Sequence, residues 1–488
     1  MKINIQMKKN KHNKSNLLQK RTNVVKMHFY QCYKTMFVFV SLFSNYCLIA
    51  QIPFEYTATY EKQQKEYLKK NNQIRINVPK DTILKIYNQS DESIRTFLVS
   101  RIGLTGDTSY VKNLAYWLLN DQSEIVRVEC VNSMIRIGTI KEFADLKKAT
   151  EDSLYSIRLN AAYALAYFGE KELSMNVLTE LWKKADQNQK IKINSGLFEI
   201  NTEKSILKLV NALNDPNDFV AVDAAIMIIK LGFPNISFPV LKKLSNNDDI
   251  YIRLAVLRGL AYIGNNSSLE LIKSFENDKS VIVRQRSIEI LVKYGINELD
   301  KKDKIENKSS SYDPQSAAIY SDTWWNGRNP AYNDYGNYDC ANFGSQCLIA
   351  GGLNISAGSN GSGGGRDAWG CIIACNNLHL HFINYQPACI NYTRLYSGEP
   401  SWLSKGDVAL LGDASDRWEH TIFAVTGDEY SNVTCNAHSV NNYHKAVSYF
   451  YPSSNFTSCD FYHFESIEPP FLYSPNQNAT NVSIPVNF

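Results

Sequence analysis

The sequence predicts a multidomain chain: an all-α solenoid over residues 77–299, then an α+β domain over residues 313–468. Three observations carry this. A motif recurs every 31 or 32 residues through the first region. A polar and charged stretch, residues 300–312, then breaks the pattern. Beyond it the hydrophobic period shortens toward two, and five of the seven tryptophans lie there. One kind of core ends and another begins.

Residues 1–50 read as an export signal or an N-terminal anchor. Residues 1–26 hold eight Lys/Arg and no acid, and Met36–Ala50 is a fifteen-residue run without a charge. A spanning helix needs about 20 apolar residues. A basic flank, a short apolar core and a small residue at Ala50 fit a secretory signal cut before Gln51. The chain is therefore expected to be exported: secreted, periplasmic or at the cell surface. Its net charge of +4 is small and sits mostly in this leader, which argues against a nucleic-acid partner. Residues 51–76 form a short lead-in.

The repeat is marked by a basic residue followed eleven positions on by glycine. The basic slots are Arg95, Arg127, Arg158, Arg253 and Arg284, paired with Gly106, Gly138, Gly169, Gly264 and Gly295. Two degenerate copies complete the series: Lys190 with Asn201, and Ala221 with Gly232. Each slot opens a helix such as Arg158–Gly169, and the glycine sits where a helix ends in a left-handed residue, a place asparagine also tolerates. Upstream apolar runs such as residues 206–213 supply partner helices. Paired helices at this period stack into a solenoid. The region resembles HEAT-type repeats over roughly 220 residues. Such a surface usually binds a protein or acts as a spacer, so an interaction arm with an unknown protein partner is expected. Each repeat packs only on its neighbours, so the region should fold without the rest. The basic ladder should be structural.

In the C-terminal region, Gln315–Trp325 and Cys340–Ala350 read as helices. The stretches 407–412, 421–426, 432–438, 446–451 and 461–467 read as short strands. Helices followed by antiparallel strands make an α+β domain. Gly358–Gly365 reads as a flexible loop, and the tail 469–488 as irregular. Seven of the ten cysteines lie past residue 339. In an exported chain this predicts disulfides among Cys347, Cys371, Cys375, Cys389, Cys435 and Cys459. No zinc spacing is convincing, so neither a metal nor another cofactor is expected.

The chemistry centres on Asn337–Leu348. Asp339 can cap the helix it precedes, which puts Cys340 at the helix N-terminus, where the positive end of the dipole favours thiolate. The Cys340 backbone N–H could serve an oxyanion hole, with Asp339 and Asn342 as further candidates for substrate or oxyanion support. A thiolate nucleophile needs a base, and His420, at the start of a strand after Lys405–Leu410, is the best candidate. Asn436 and His438 are two apart on the next strand and share a face; either could orient the imidazole, with His438 preferred. Trp324 and Trp325 read as core.

These residues fall in ordered motifs: Trp324–Tyr332, Asp339–Cys347, Gly351-Gly352, Gly406–Val408 and Glu419-His420. Together they resemble the putative amidase domain family, a papain-like group allied to NlpC-type and CHAP-type cell-wall hydrolases, over about residues 313–465. The resemblance implies Cys340 as nucleophile and His420 as base. Gly344 departs from it, since a bulkier apolar residue is expected after Asn342-Phe343, and the departure should loosen helix packing without touching the chemistry. The expected function is an exported cysteine amidase or peptidase acting on cell-wall stem peptides or another extracellular peptide. The alternative is an extracellular binding or scaffold protein whose amidase-like domain is inactive.

Overall fold

A computed structural model of the chain describes residues 52–71, 79–138, 143–296, 312–353, 355, 367, 369–385, 388–412, 418–427, 433–438, 441–451 and 456–465. The leader 1–50, the linker up to residue 311, the glycine-rich loop 358–365 and the tail from residue 469 lie outside the described residues.

Each of the seven basic slots opens one helix: α1 (Glu92–Thr105), α2 (Glu124–Ile137), α3 (Tyr155–Tyr167), α4 (Gln187–Ile200), α5 (Asp218–Lys230), α6 (Ile250–Ile263) and α7 (Val281–Lys293). The starts are set by side chains that accept the first free N–H groups: Asp91, Ser123, Asp186, Asn217 and Asp249. Such a cap typically contributes about 1 kcal/mol. The ends are set by a left-handed residue. All seven predicted positions have positive φ, from Asn201 at 43° to Gly232 at 92°. The seven helices pack side by side in sequence order, an arrangement consistent with a solenoid. From α2 onward each also packs on the helix that precedes it in the chain, the partners being Val111–Asn120, Phe143–Ala149, Lys171–Trp182, Glu203–Ala212, Pro234–Leu244 and Asn266–Ser274.

The basic ladder joins one repeat to the next. Arg95 bonds Asp121 through two nitrogens at 2.8 and 3.0 Å, Lys190 reaches Asp215 at 2.7 Å, and Arg253 holds Asp278 at 2.7 and 2.9 Å. Arg127 and Asp152 make the same pair. The acid in each case belongs to the loop opening the following repeat, so the ladder is structural.

The C-terminal region contributes α8 (Pro314–Trp324), α9 (Cys340–Ala350), α10 (Cys375–Tyr385) and six strands: β1 (Cys389–Leu395), β2 (Val408–Gly412), β3 (Trp418–Ala424), β4 (Thr434–Ala437), β5 (Asn442–Ala446) and β6 (Ser458–Phe464). They form one sheet in the order β1-β6-β2-β3-β4-β5, every neighbouring pair antiparallel. The helices α8, α9 and α10 all pack on β3. The other face buries Ala409, Leu411, Ile422, Ala424, Cys435, Ala437 and Phe461 beneath Leu403, Phe450 and Phe456. Two elements, α10 and β1, were not foreseen. The expected strand at 446–451 is instead the end of β5 followed by a helical turn, Val447–Phe450, because Val447 and Phe450 are both buried at a spacing of three.

The repeats and the sheet domain belong to one compact unit. The repeat helices present a face that the sheet domain covers. Asn188 of α4 bonds the Thr323 carbonyl, Phe219 of α5 meets Trp324, and Tyr251 of α6 meets Tyr320. Arg258 of α6 is buried and donates to the Pro330 carbonyl at 2.9 Å and to Asn333 at 2.7 Å. Arg286 of α7 bonds the Trp369 carbonyl, and Phe97 of α1 packs edge-on against Phe456. The region is therefore not a free arm on this face: its inner helices hold the chain's own C-terminal domain. Removing the domain would bare Phe219, Tyr251 and the buried Arg258, a cost that the expected independent folding of residues 77–299 has to absorb.

Among the described residues no helix is long and apolar enough to cross a membrane. The disulfides expected among the six cysteines are not found. No disulfide joins the described cysteines, and Cys347, Cys371, Cys375, Cys435 and Cys459 are buried. All but Cys375 pack as small apolar side chains.

Candidate functional site

Cys340 is the first residue of α9 and is 8 % exposed. Its place is created by a short strand. β4 pairs with β3 only at Phe423 and Ala424, so the earlier part of β3 has no β4 partner. There the Cys340 sulfur lies 4.0 Å from the Glu419 carbonyl and accepts the Thr421 N–H. His420, between those two residues, is close enough to the same sulfur to favour its ionised form. Cys340 and His420 are thus neighbours at the start of β3. A β-bulge sharpens the approach: Leu411 stands opposite His420 but Gly412 stands opposite Trp418, leaving Glu419 as the extra residue. The His420 ring lies 6.3 Å from both Phe450 and Phe456, and its polar side-chain partner among the described residues is Cys340 alone.

A second thiol adjoins the first. Cys375 opens α10, and its sulfur is 3.6 Å from that of Cys340 and 3.2 Å from the Thr421 hydroxyl. The Cys340 thiol is held well below its ordinary range. The bond from Cys375 is the largest cause; burial opposes it, and the His420 side chain and the Thr421 N–H add to it. Cys375 is pushed up by the same contact and by burial.

The other predicted site residues stand behind Cys340. Asp339 is fully buried and does not cap α9. One of its oxygens accepts the Tyr335 N–H at 3.2 Å and the Asn342 amide at 2.8 Å; the other meets His438 Nδ1 at 2.7 Å and Arg328 Nε at 3.3 Å. Asn342 also donates to the Asn333 carbonyl at 3.0 Å. These bonds fix the loop ahead of Cys340, so the expected roles of Asp339 and Asn342 in substrate or oxyanion support are corrected to anchoring.

Neither His438 nor Asn436 orients His420. Asn436 stands directly opposite Phe423, and directly opposed residues share a face of the sheet. His420 stands opposite Leu411, on the side of Phe450 and Phe456, and meets Cys340 at the bulged start of β3, away from Asn436. His438 instead stacks on Phe343, 3.7 Å between ring centres, with Nε2 2.7 Å from the Trp324 carbonyl. Both ring nitrogens face acceptors, which a protonated ring would satisfy, while burial and the Arg328 guanidinium push its pKa down. Asn436 donates to Asp322 at 2.7 Å and to Ser321 at 3.2 Å.

Gly344 is also corrected. A Cβ there would sit 2.8 Å from Thr421 Cγ2, so the glycine lets α9 approach β3 closely at the residue whose N–H meets Cys340. It tightens the packing rather than loosening it.

Neither Thr421 nor Cys375 is expected from the sequence as a site residue. For α10 a signal existed: Cys375, Leu378 and Phe382 recur at helical spacing and are all buried.

Residues 311–462 match the model of a family described as "Putative amidase domain". An uncharacterized protein of Bacillus subtilis (strain 168), YhbB, is 29% identical over 146 residues, covering 29% of this chain and 46% of that protein. The match thus spans less than half of that relative's length. Among solved structures, human deoxyhypusine hydroxylase in complex with glycerol aligns over 49% of this chain and 99% of its own, at 14% identity and a TM-score of 0.22.

Proposed function

We propose that the C-terminal domain is a papain-like cysteine amide hydrolase, held by a HEAT-type solenoid. The observation that carries this is a buried thiol at a helix N-terminus, drawn into its thiolate form by a neighbouring thiol and a histidine. The family match supplies the amide as the bond. The Cys340 thiolate attacks the carbonyl carbon, and the oxyanion that forms is stabilised by the Cys340 N–H at the start of α9. His420 gives its proton to the leaving amine. It then takes a proton from the water that cleaves the thioester. The basic flank and apolar run of residues 1–50 support export, and peptide stems of a cell wall are a fitting substrate class. A mature N-terminus other than Gln51 in protein recovered from the medium or periplasm would count against the proposed cleavage.

The test is the pH dependence of iodoacetamide labelling in the native protein, read beside turnover of amide substrates. Cys340 should label fastest of all thiols and stay reactive well below pH ~8.5, the ordinary thiol pKa. His420→Ala should move its acid limb upward, and Cys340→Ala should abolish hydrolysis with the fold intact. The burial of Cys340, at 8 % exposure, favours the alternative of a binding-only domain. Ligand affinity without turnover, Cys340 being intact, would establish that alternative.

A further inference from the structure

The geometry points to Cys375 as a further catalytic residue: its S–H donates to the Cys340 thiolate, in a relay that begins at the Thr421 hydroxyl. The inference rests on the assignment of Cys340 as nucleophile.

Three observations converge. The sulfurs are 3.6 Å apart, both enclosed, with the Thr421 hydroxyl 3.2 Å from Cys375. Each cysteine is the first residue of an eleven-residue helix, α9 or α10, so two helix N-termini face one shared charge. Third, among the described residues the polar side-chain partner of His420 is Cys340 itself. Support for the charged pair comes from the thiolate side instead. Two enclosed sulfurs cannot both ionise at this distance, so one proton stays between them. That proton sits on Cys375, whose thiol is held up while that of Cys340 is held down. The sequence position of Cys375 on α10 explains why it reaches: α10 packs on both α9 and β3.

The donor role is tested with Cys375→Ala and Cys375→Ser. The readout is the acid limb of Cys340 alkylation, with circular dichroism and a thermal melt as the check on folding. The alanine variant should shift the limb upward by about one pH unit, a tenfold loss of thiolate on the limb. The serine variant, which keeps a donor, should return at least half of that shift. A limb unmoved in Cys375→Ala would overturn the role. If the alanine variant fails to fold, two other measurements decide. A serine variant with kcat within a fewfold of wild type supports the role, and one with kcat lost overturns it. In the unmodified protein, glutathione disulfide supplies the second. The Cys340 thiolate attacks it and releases one glutathione; Cys375, losing its proton, then displaces the second and closes a Cys340–Cys375 disulfide. Mass spectrometry should find that cross-link, reversible by dithiothreitol, and a stable glutathione adduct on Cys340 alone would overturn the proximity. The two readings fail separately. Fast labelling of Cys340 with an unmoved limb in Cys375→Ala removes only the role of Cys375. Labelling of Cys340 no faster than Cys347 removes the hydrolase itself.

Discussion

Arg101 of the first repeat helix forms an ion pair with Glu419, the bulged residue immediately before His420. The pair is largely enclosed, with side-chain exposures of 14% and 7%. Nearby, Phe97 of the same helix packs on Phe456, which in turn lies beside His420. The repeats thus reach the strand that carries His420.

Removing one member of an enclosed pair leaves the other charge short of its partner, at a cost of about 3 kcal/mol. Arg101→Ala is expected to lower stability by about that amount and kcat/KM at least tenfold, through displacement of Glu419 and His420. Arg101→Met combined with Glu419→Gln should restore most of the stability and less of the activity. Chemical denaturation and amide turnover on the same samples check this. Full turnover in Arg101→Ala would show that the repeats hold the domain without shaping its site.

His438 and Asn436 separate position from catalysis. His438 ties Asp339 to the Trp324 carbonyl, and Asp339 directly precedes Cys340. His438→Asn is expected to cost about 1–3 kcal/mol, the usual penalty for orphaning a buried partner, and to reduce kcat by loosening α9. Asn436→Ala should destabilise similarly with a smaller effect on kcat, since its partners are Asp322 and Ser321 on α8. Neither variant should move the acid limb of Cys340 labelling. A limb displaced by His438→Asn alone would place that histidine in the proton chemistry after all.

The repeats were legible because their signals are local. A cap, a helical period and a left-handed residue each depend on a few neighbouring positions, and Asn201 at φ 43° shows that even a degenerate copy obeys the same backbone demand. Cys340 and His420 were legible because a helix start and a strand start announce themselves through motif order. The third site residue was not. Asn436 and His438 share a face with each other, as two-residue spacing requires, but which face His420 takes depends on the pairing of Phe423 with Asn436. Register of that kind is set by tertiary packing. β1 was missed for a related reason: it is an edge strand with Ile390 and Tyr392 exposed, so its burial does not alternate. The docking of the repeats onto the sheet domain was invisible because Arg258 finds its partners more than seventy residues away.

Gly344 and Thr421 test the close approach of α9 to β3. A Cβ on residue 344 would lie 2.8 Å from Thr421 Cγ2, and the nearest other atom, in Leu378, is 3.9 Å away. The clash is thus with one methyl group. Gly344→Ala gains helix propensity of about 1 kcal/mol but must push that methyl, and overpacking of this kind typically costs about 1–3 kcal/mol. The net expectation is a modest loss of stability. The larger effect should be on chemistry, because Thr421 supplies both the N–H that meets Cys340 and the hydroxyl beside Cys375. Displacing it should lower kcat several-fold and slow Cys340 labelling near neutral pH. Thr421→Ser removes the methyl and keeps the hydroxyl, so Gly344→Ala with Thr421→Ser should recover both stability and kcat relative to Gly344→Ala alone. Thr421→Val, which keeps the bulk and loses the hydroxyl, should fail to recover either. Thermal melts and steady-state kinetics across the four proteins decide the point. Equal recovery by serine and valine would show that neither the Thr421 methyl nor its hydroxyl is what Gly344→Ala disturbs.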